Sequence, residues 1–309
     1  MLDYVFLAVG FALLIKGADF FVDGSASVAR KLKIPGMIIG MTIVAMGTSA
    51  PECAVSVAAA LKGSNTMAIS NVVGSNIFNL MVVCGACAVF APLPVKESTM
   101  KQEFPLSILA AVLLFVMGNQ SMMIGRIDGV ILLIVFAAFL AWMVMEARNA
   151  RNQAGETEIA ALKGWQCLLY ILVGLGAIVA GGDFVVDSAS AIAESFGLSP
   201  TLIGLTIVAF GTSLPELVTS LVAAKKGETD MAIGNVIGSN IFNILLVLGV
   251  AGAVSPMEVL MENLIDDIIL MGMSAVVWIF AWRRKQISRL HGAIMLAMYA
   301  GYVGYICTR

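Results

Sequence analysis

Two glutamates, Glu52 and Glu216, each follow a proline inside a segment that is otherwise apolar enough to cross a bilayer. The surrounding sequences read Gly-Thr-Ser-Ala-Pro-Glu and Gly-Thr-Ser-Leu-Pro-Glu. A carboxylate at membrane depth is costly in free energy, and such residues mark ion or substrate pathways. Each proline removes a backbone donor and clashes with a carbonyl one turn earlier, which predicts a broken helix. Freed carbonyls, hydroxyls and a carboxylate are hard oxygen ligands, and these suit calcium or sodium.

The two segments belong to an internal duplication. Residues 39–79 and 203–243 align at an offset of 164 without a gap, and 27 of the 41 positions are identical. A repeat of this length predicts two units of the same architecture.

A second motif, Gly-Ser-Asn-Ile-Phe-Asn, follows in each copy. Ser75 and Asn79 are four residues apart, as are Ser239 and Asn243, so each pair shares one helical face. Taken singly, small polar residues in membrane helices are usually packing residues that hydrogen-bond between helices. Their recurrence beside both glutamates favours an ion site.

The composition identifies an integral membrane protein. Of 309 residues, 60% are apolar and only 12% are charged, whereas a soluble domain has roughly 25% charged residues. The net charge of −2 predicts no basic patch and no nucleic-acid partner. The five cysteines all lie in apolar spans, where free cysteine packs as a small hydrophobe, and we expect no disulfide framework.

A membrane helix needs about 20 apolar residues, and the chain offers ten such spans. They are residues 2–28, 36–62, 68–91, 103–119, 125–147, 164–192, 200–225, 231–254, 264–282 and 289–307. We interpret the first as a retained helix and not as a cleaved leader. The predicted domains are a five-helix repeat at 1–147, a cytoplasmic linker at 148–163 and a second repeat at 164–309.

Five spans per repeat is an odd number, so the second repeat is expected to enter the membrane upside down relative to the first. Inverted repeats of this kind place the substrate site at the midplane. With both termini outside, the cytoplasmic loops hold fourteen Lys and Arg residues and the external side holds three. This asymmetry agrees with the positive-inside rule. The predicted fold is therefore an all-α membrane protein of ten helices in two inverted five-helix repeats, with broken helices forming a midplane ion site.

Further polar residues recur in both copies. Asp19 and Asp23 have counterparts in Asp183 and Asp187, and their role is either structural or to line an ion access path. Lys16 is placed to pair with Asp19. In the second motif region, Asn71 and Asn235 are expected to hydrogen-bond to a neighbouring helix, with contact to the ion as the less favoured alternative.

These paired motifs resemble the α-repeats of the cation/calcium antiporter superfamily, the sodium/calcium exchangers, and in particular its compact prokaryotic (YrbG-type) members. The resemblance covers essentially the whole chain, and the motifs are highly specific. It implies ten helices, alternating access and exchange of external sodium for calcium.

Carried over by motif position, the resemblance implies a calcium site and adjacent sodium sites. Calcium would be bound by Glu52 and Glu216 with the backbone carbonyls of Thr48 and Thr212. Sodium would be bound by Ser49, Ser213, Ser75 and Ser239 with the carbonyls of Ala45 and Ala209, and Asn79 and Asn243 would close the centre. Some relatives have aspartate where Asn243 stands, so this site has two carboxylates, which argues against potassium dependence.

The sequence thus predicts a secondary transporter that exchanges Na⁺ for Ca²⁺ and exports Ca²⁺. The alternatives are an H⁺/Ca²⁺ or broader divalent-cation antiporter and, less favoured, a cation channel. We expect no enzymatic activity and no cofactor. The expected location is the prokaryotic cytoplasmic (inner) membrane, with the lipid bilayer, Ca²⁺ and Na⁺ as partners and a monomer as the functional unit.

Overall fold

The computed structural model describes residues 2–61, 65–153, 162–197 and 209–308, and these form an almost entirely helical structure. Long apolar runs without proline or charge favour helices in lipid, because a helix satisfies its own backbone hydrogen bonds. The predicted spans 36–62 and 200–225, and the linker 148–163, lie partly outside the described residues.

The described residues of the first half form eight α-helices, three π-helical segments and two short strands. The α-helices are α1 (Leu2–Leu32), α2 (Gly36–Ile39), α3 (Ala45–Thr48), α4 (Ala50–Leu61), α5 (Asn65–Phe78), α6 (Cys84–Phe90), α7 (Phe104–Ser121) and α8 (Arg126–Gln153). The π-helical segments are Gly40–Val44, Asn79–Val83 and Thr99–Glu103, and the strands are β1 (Leu93–Pro94) and β2 (Met123–Ile124).

The described residues of the second half largely repeat this order, at an offset of about 164. Its helices are α9 (Gly164–Ser195), α10 (Ala209–Gly211), α11 (Leu214–Lys225), α12 (Thr229–Phe242), α13 (Leu248–Val254), α14 (Met261–Arg284) and α15 (Arg289–Ile306). A π-helical segment covers Asn243–Val247, and the strands are β3 (Met257–Glu258) and β4 (Gln286–Ile287).

The number of membrane-spanning helices in the described ranges is smaller than the ten predicted. Seven helices are long and apolar enough to cross a bilayer, and the pair Gly36–Thr48 and Ala50–Leu61, bent by 49°, makes eight if it is one span. The expected span 200–225 begins outside the described residues. The expected span 289–307 corresponds to the 18-residue helix α15, and three tyrosines, one histidine and one arginine lower its apolar character.

The first helices of the two halves, α1 and α9, pack along most of their length. A Cβ at Gly174 would lie 2.5 Å from the Phe21 backbone N, and one at Gly181 would lie 2.7 Å from the Leu14 backbone N. Glycine is therefore needed for this close approach. Contacts to α9 move towards its N-terminus as α1 advances, so the two helices run antiparallel.

Two small sheets join the halves. Strand β1 pairs antiparallel with β4, and β2 pairs antiparallel with β3. Because α7 starts shortly after β1 and ends just before β2, the two sheets lie at opposite ends of this helix. Each sheet therefore combines one strand from each half.

Candidate functional site

The first repeat motif contains a broken helix. Helix α3 ends at Thr48, Ser49 has φ −82° and ψ 7°, and α4 begins at Ala50 with Pro51 in its first turn. The predicted freeing of backbone carbonyls is incomplete, because the Ala45 carbonyl accepts the Ser49 N–H at 3.0 Å. The second copy breaks similarly at Ser213, with φ −95° and ψ 5°.

Serines at the two breaks hydrogen-bond to the glutamate of the opposite repeat. The Ser49 hydroxyl donates to Glu216 Oε1 at 2.8 Å, and the Ser213 hydroxyl donates to Glu52 Oε1 at 3.0 Å. All four side chains are fully buried. The two carboxylates are also close enough for the charge of Glu216 to act on Glu52. The duplication thus brings the two predicted acidic residues into one centre.

The second motifs meet through a reciprocal asparagine pair. The Asn76 amide donates to the Asn240 carbonyl oxygen of the backbone at 3.1 Å, and the Asn240 amide donates to the Asn76 backbone carbonyl at 3.2 Å. The Asn243 amide donates to Asn76 Oδ1 at 3.1 Å. These contacts join α5 to α12 beside the carboxylates. Asn76 and Asn240 were absent from the predicted site, although their recurrence within Gly-Ser-Asn was the available signal.

Two further asparagines act between helices, as predicted. The Asn71 amide donates to Ser56 Oγ at 3.0 Å, and the Asn235 amide donates to Ser220 Oγ at 2.9 Å. Asn235 Oδ1 also accepts the Thr48 hydroxyl at 3.1 Å. Each asparagine therefore joins the broken helix of its own half to the next helix, and Asn235 in addition reaches the opposite half.

Several buried oxygen atoms of the centre have no hydrogen-bond partner in the described part of the chain. They are Oε2 of Glu52, Oε2 of Glu216, Oγ of Ser239 and Oδ1 of Asn79, Asn240 and Asn243. A buried carboxylate without a counter-charge is costly, so this set of atoms is suited to a cation. Calcium prefers such oxygen ligands and takes six to eight of them.

The remaining predicted ligands occupy the same elements. Ser75 and Ser239 are buried on α5 and α12, Thr48 is buried on α3, and Thr212 lies between α10 and α11. Ala45 and Ala209 begin α3 and α10. No group of three or more His, Cys, Asp or Glu side chains with metal-binding geometry occurs among the described residues. Any ion in this centre would therefore rely on neutral oxygens beside the two glutamates.

The acidic residues of the first helices have different surroundings in the two halves. Lys226 Nζ lies 2.8 Å from Asp23 Oδ1, 3.4 Å from Asp19 Oδ1 and 3.0 Å from the Asp19 backbone carbonyl. Lys16 Nζ lies 3.7 Å from Asp19 Oδ2, as its position predicted. Their counterparts Asp183 and Asp187 are exposed. The structural interpretation therefore fits Asp19 and Asp23.

Comparison with known proteins places the chain in a family. The model of the family described as "Sodium/calcium exchanger protein" matches residues 2–145 and 167–308. The chain belongs to the sodium/calcium exchanger family. It is thus an integral membrane protein of a cation/calcium antiporter family, and it is a transporter and not an enzyme.

Relatives of this exchanger cover nearly all of its length. It is 42% identical over 310 residues to the putative antiporter CaxA of Alkalimonas amylolytica, covering 96% of each chain. It is 35% identical over 296 residues to the inner membrane protein YrbG of Escherichia coli (strain K12), covering 92% of this chain and 90% of that protein. The compact prokaryotic likeness predicted from the motifs is confirmed.

The fold also matches a solved structure. The sodium-calcium exchanger NCX_Mj, soaked with 10 mM Na⁺ and 10 mM Sr²⁺, superimposes with a TM-score of 0.87 at 34% identity, and 98% of each chain is covered. The work on that protein concerns extracellular ion exchange and induced occlusion of its binding site.

Proposed function

We propose that this exchanger moves Ca²⁺ out of the cytoplasm in exchange for Na⁺, by alternating access to the centre at the two helix breaks. Glu52 and Glu216 supply the charge that a divalent ion needs. The neutral oxygens of Thr48, Thr212 and Asn79 supply the remaining ligands of the ion. The ions are substrates, and no resident cofactor is involved.

One observation carries the proposal: each glutamate uses one oxygen to accept a serine hydroxyl of the opposite repeat, while its other oxygen has no hydrogen-bond partner among the described residues. The serine hydrogen bonds fix the orientation of the carboxylates. The second oxygens are left for an ion, with two negative charges against the two positive charges of Ca²⁺. Two sodium ions would balance the same charge, which explains how the ions could compete for one site.

The antiparallel packing of α1 and α9 supports inverted repeats. These helices are equivalent in the duplication, so opposite directions imply a two-fold axis in the membrane plane. The sheets agree, because β1 pairs with β4 and not with its equivalent β3. In an inverted pair the equivalent strands lie at opposite faces. Both termini outside would place most Lys and Arg residues in the cytoplasm.

Calcium uptake by sodium-loaded proteoliposomes tests this function. The protein would be reconstituted, and external sodium, potassium or choline would be compared with and without a pH gradient. We expect uptake only with an outward sodium gradient, and we expect a voltage clamp to give the charge moved per cycle.

The other outcomes separate the alternatives. Uptake driven by a pH gradient without sodium would replace sodium by protons as the coupling ion while keeping the site. Uptake without any counter-ion gradient, with unitary currents, would indicate a channel. No calcium uptake under any gradient would refute the proposed substrate.

A further inference from the structure

A second buried carboxylate lies outside the ion centre. Asp267, in the second turn of α14, is 2% exposed, and neither of its side-chain oxygens has a hydrogen-bond partner in the described ranges. It lines a small cavity between α14, α5 and α7. The ion centre does not use this residue.

The lining of this cavity offers no counter-charge. Helix α5 contributes Ile69 and Val73, and α7 contributes Leu114 and Gly118. The only other polar side chain in the lining is Asn263, and it is already engaged: its Oδ1 accepts the Leu260 N–H at 3.0 Å and its amide donates to Ser70 Oγ at 2.8 Å. Neither Asn263 nor any other described residue of the lining donates a hydrogen bond to Asp267.

The other titratable groups at the start of α14 itself and on β3 are all acidic. They are Glu262 and Asp266 on α14 itself and Glu258 on the paired strand β3. Helices α5 and α7 present only apolar residues and glycine to the cavity. An ionised Asp267 would thus be buried among hydrocarbon without a counter-charge, and in such a place a carboxyl group takes up a proton instead of remaining charged.

We propose that Asp267 is a proton-binding site, separate from the ion centre, whose occupancy controls the packing of α14 against α5. Helix α5 runs on from Val73 to Asn76 and the centre, so loss of the proton acts on the helix that holds half of the asparagine pair. The Asp267 site lies at the β2·β3 end of the molecule, which is the external face in the proposed orientation.

The duplication supplies an independent observation. The position equivalent to Asp267 is Glu103, which is 6% exposed and has an unpartnered Oε2. Unlike Asp267, it lies within reach of other charged groups, those of Glu146 and Asp230. Glu103 is close to β1, at the opposite end of α7 from the Asp267 cavity. The variant Glu103→Gln is therefore a matched control for Asp267→Asn, at the opposite membrane face.

Infrared spectroscopy of the purified protein tests the proton directly and does not depend on transport. We expect the carbonyl stretch of a protonated carboxylic acid at neutral pH, its loss at alkaline pH, and its absence from Asp267→Asn. The band should survive in Glu52→Gln with Glu216→Gln. A band unchanged in Asp267→Asn would overturn the proposal, as would its removal by sodium or calcium at constant pH.

Proteoliposome uptake then tests the consequence. If the protonated form is required, wild-type uptake should fall by about tenfold per pH unit once the proton is lost, in response to pH on one side of the membrane only. Asp267→Asn, which cannot lose a proton, should remove this decline, whereas Glu103→Gln should leave it in place. An identical alkaline decline in Asp267→Asn would contradict control of packing by this group.

Discussion

The contacts of equivalent residues agree between the two halves at the glutamates of the centre but differ at the aspartates of the periphery. At the centre, Ser49 with Glu216 and Ser213 with Glu52 form the same contact twice, at 2.8 and 3.0 Å. At the periphery, Asp23 of the first half is paired to Lys226 at 2.8 Å, whereas the equivalent Asp187 is exposed. The serine–glutamate contacts are thus the same in both halves, whereas the surroundings of these two aspartates are not.

This difference separates two tasks that a duplicated transporter must perform. An ion centre that serves both membrane faces gains from equal contributions of the two halves. Access from one membrane face at a time requires unequal halves, because the contacts that open or close the path must differ between the two faces. The surroundings of Asp23 and Asp187 differ in this way, while the two serine–glutamate contacts at the helix breaks do not.

The largest expected effect follows from neutralising the centre. Glu52→Gln combined with Glu216→Gln should abolish calcium uptake. Removing one partner of a buried charge pair costs about 3 to 5 kcal/mol, which is roughly a hundredfold or more in affinity. Uptake in proteoliposomes measures the loss, and thermal unfolding in detergent checks that the nearly isosteric variant folds. Uptake near the wild-type rate would remove both glutamates from the transport site.

A smaller effect tests whether the centre is symmetric. Ser49→Ala and Ser213→Ala each remove a hydroxyl that orients the carboxylate of the opposite half. A hydrogen bond to a charged group is worth about 1.5 kcal/mol or more, so each variant should raise the calcium concentration for half-maximal uptake by about tenfold. Similar values for both are expected. A large effect of one serine beside no effect of the other would break the equivalence.

The smallest effect concerns the periphery. Lys226→Met removes the ion pairs to Asp19 and Asp23, and because partly exposed pairs are worth about 0 to 1 kcal/mol, thermal stability should fall only slightly. High salt should reduce the difference from the wild type, since it screens the same pairs. Asp187→Asn is the control and should be neutral. If it destabilised the protein as much as Lys226→Met, the two ends would not differ.

The residues of the centre were predictable because charge in a membrane span is rare and the duplication marked them twice. The exchange of partners between halves was not predictable. Ser49 and Glu52 are three residues apart on one chain, so local spacing gave no indication that Ser49 would donate to Glu216. That choice depends on how the fold brings the two helix breaks together, which is a tertiary property.

Other details also depended on tertiary structure. The apolar pattern placed a span at 36–62 and Pro51 predicted a break in it, but only the structure places that break at Ser49. Asn76 and Asn240 were visible as repeated residues, yet their mutual contact requires α5 and α12 to face each other. Asp267 and Glu103 stand near span ends, where carboxylates are normally solvated, and only the packing of α7 and α14 shows that they are buried.

The two mixed sheets have a consequence for how the protein is made. Strand β1 finds its partner in β4, almost two hundred residues later in the chain, and β2 must await β3. During synthesis the first half therefore stands in the membrane with open strand edges, and Glu52 lacks the Ser213 hydroxyl it accepts. The first half is therefore fully synthesised before the strands and the serine that complete its contacts exist. Assembly is complete only when the second half has been inserted against the first. Each half thus supplies strand partners and hydrogen-bond donors that the other half needs.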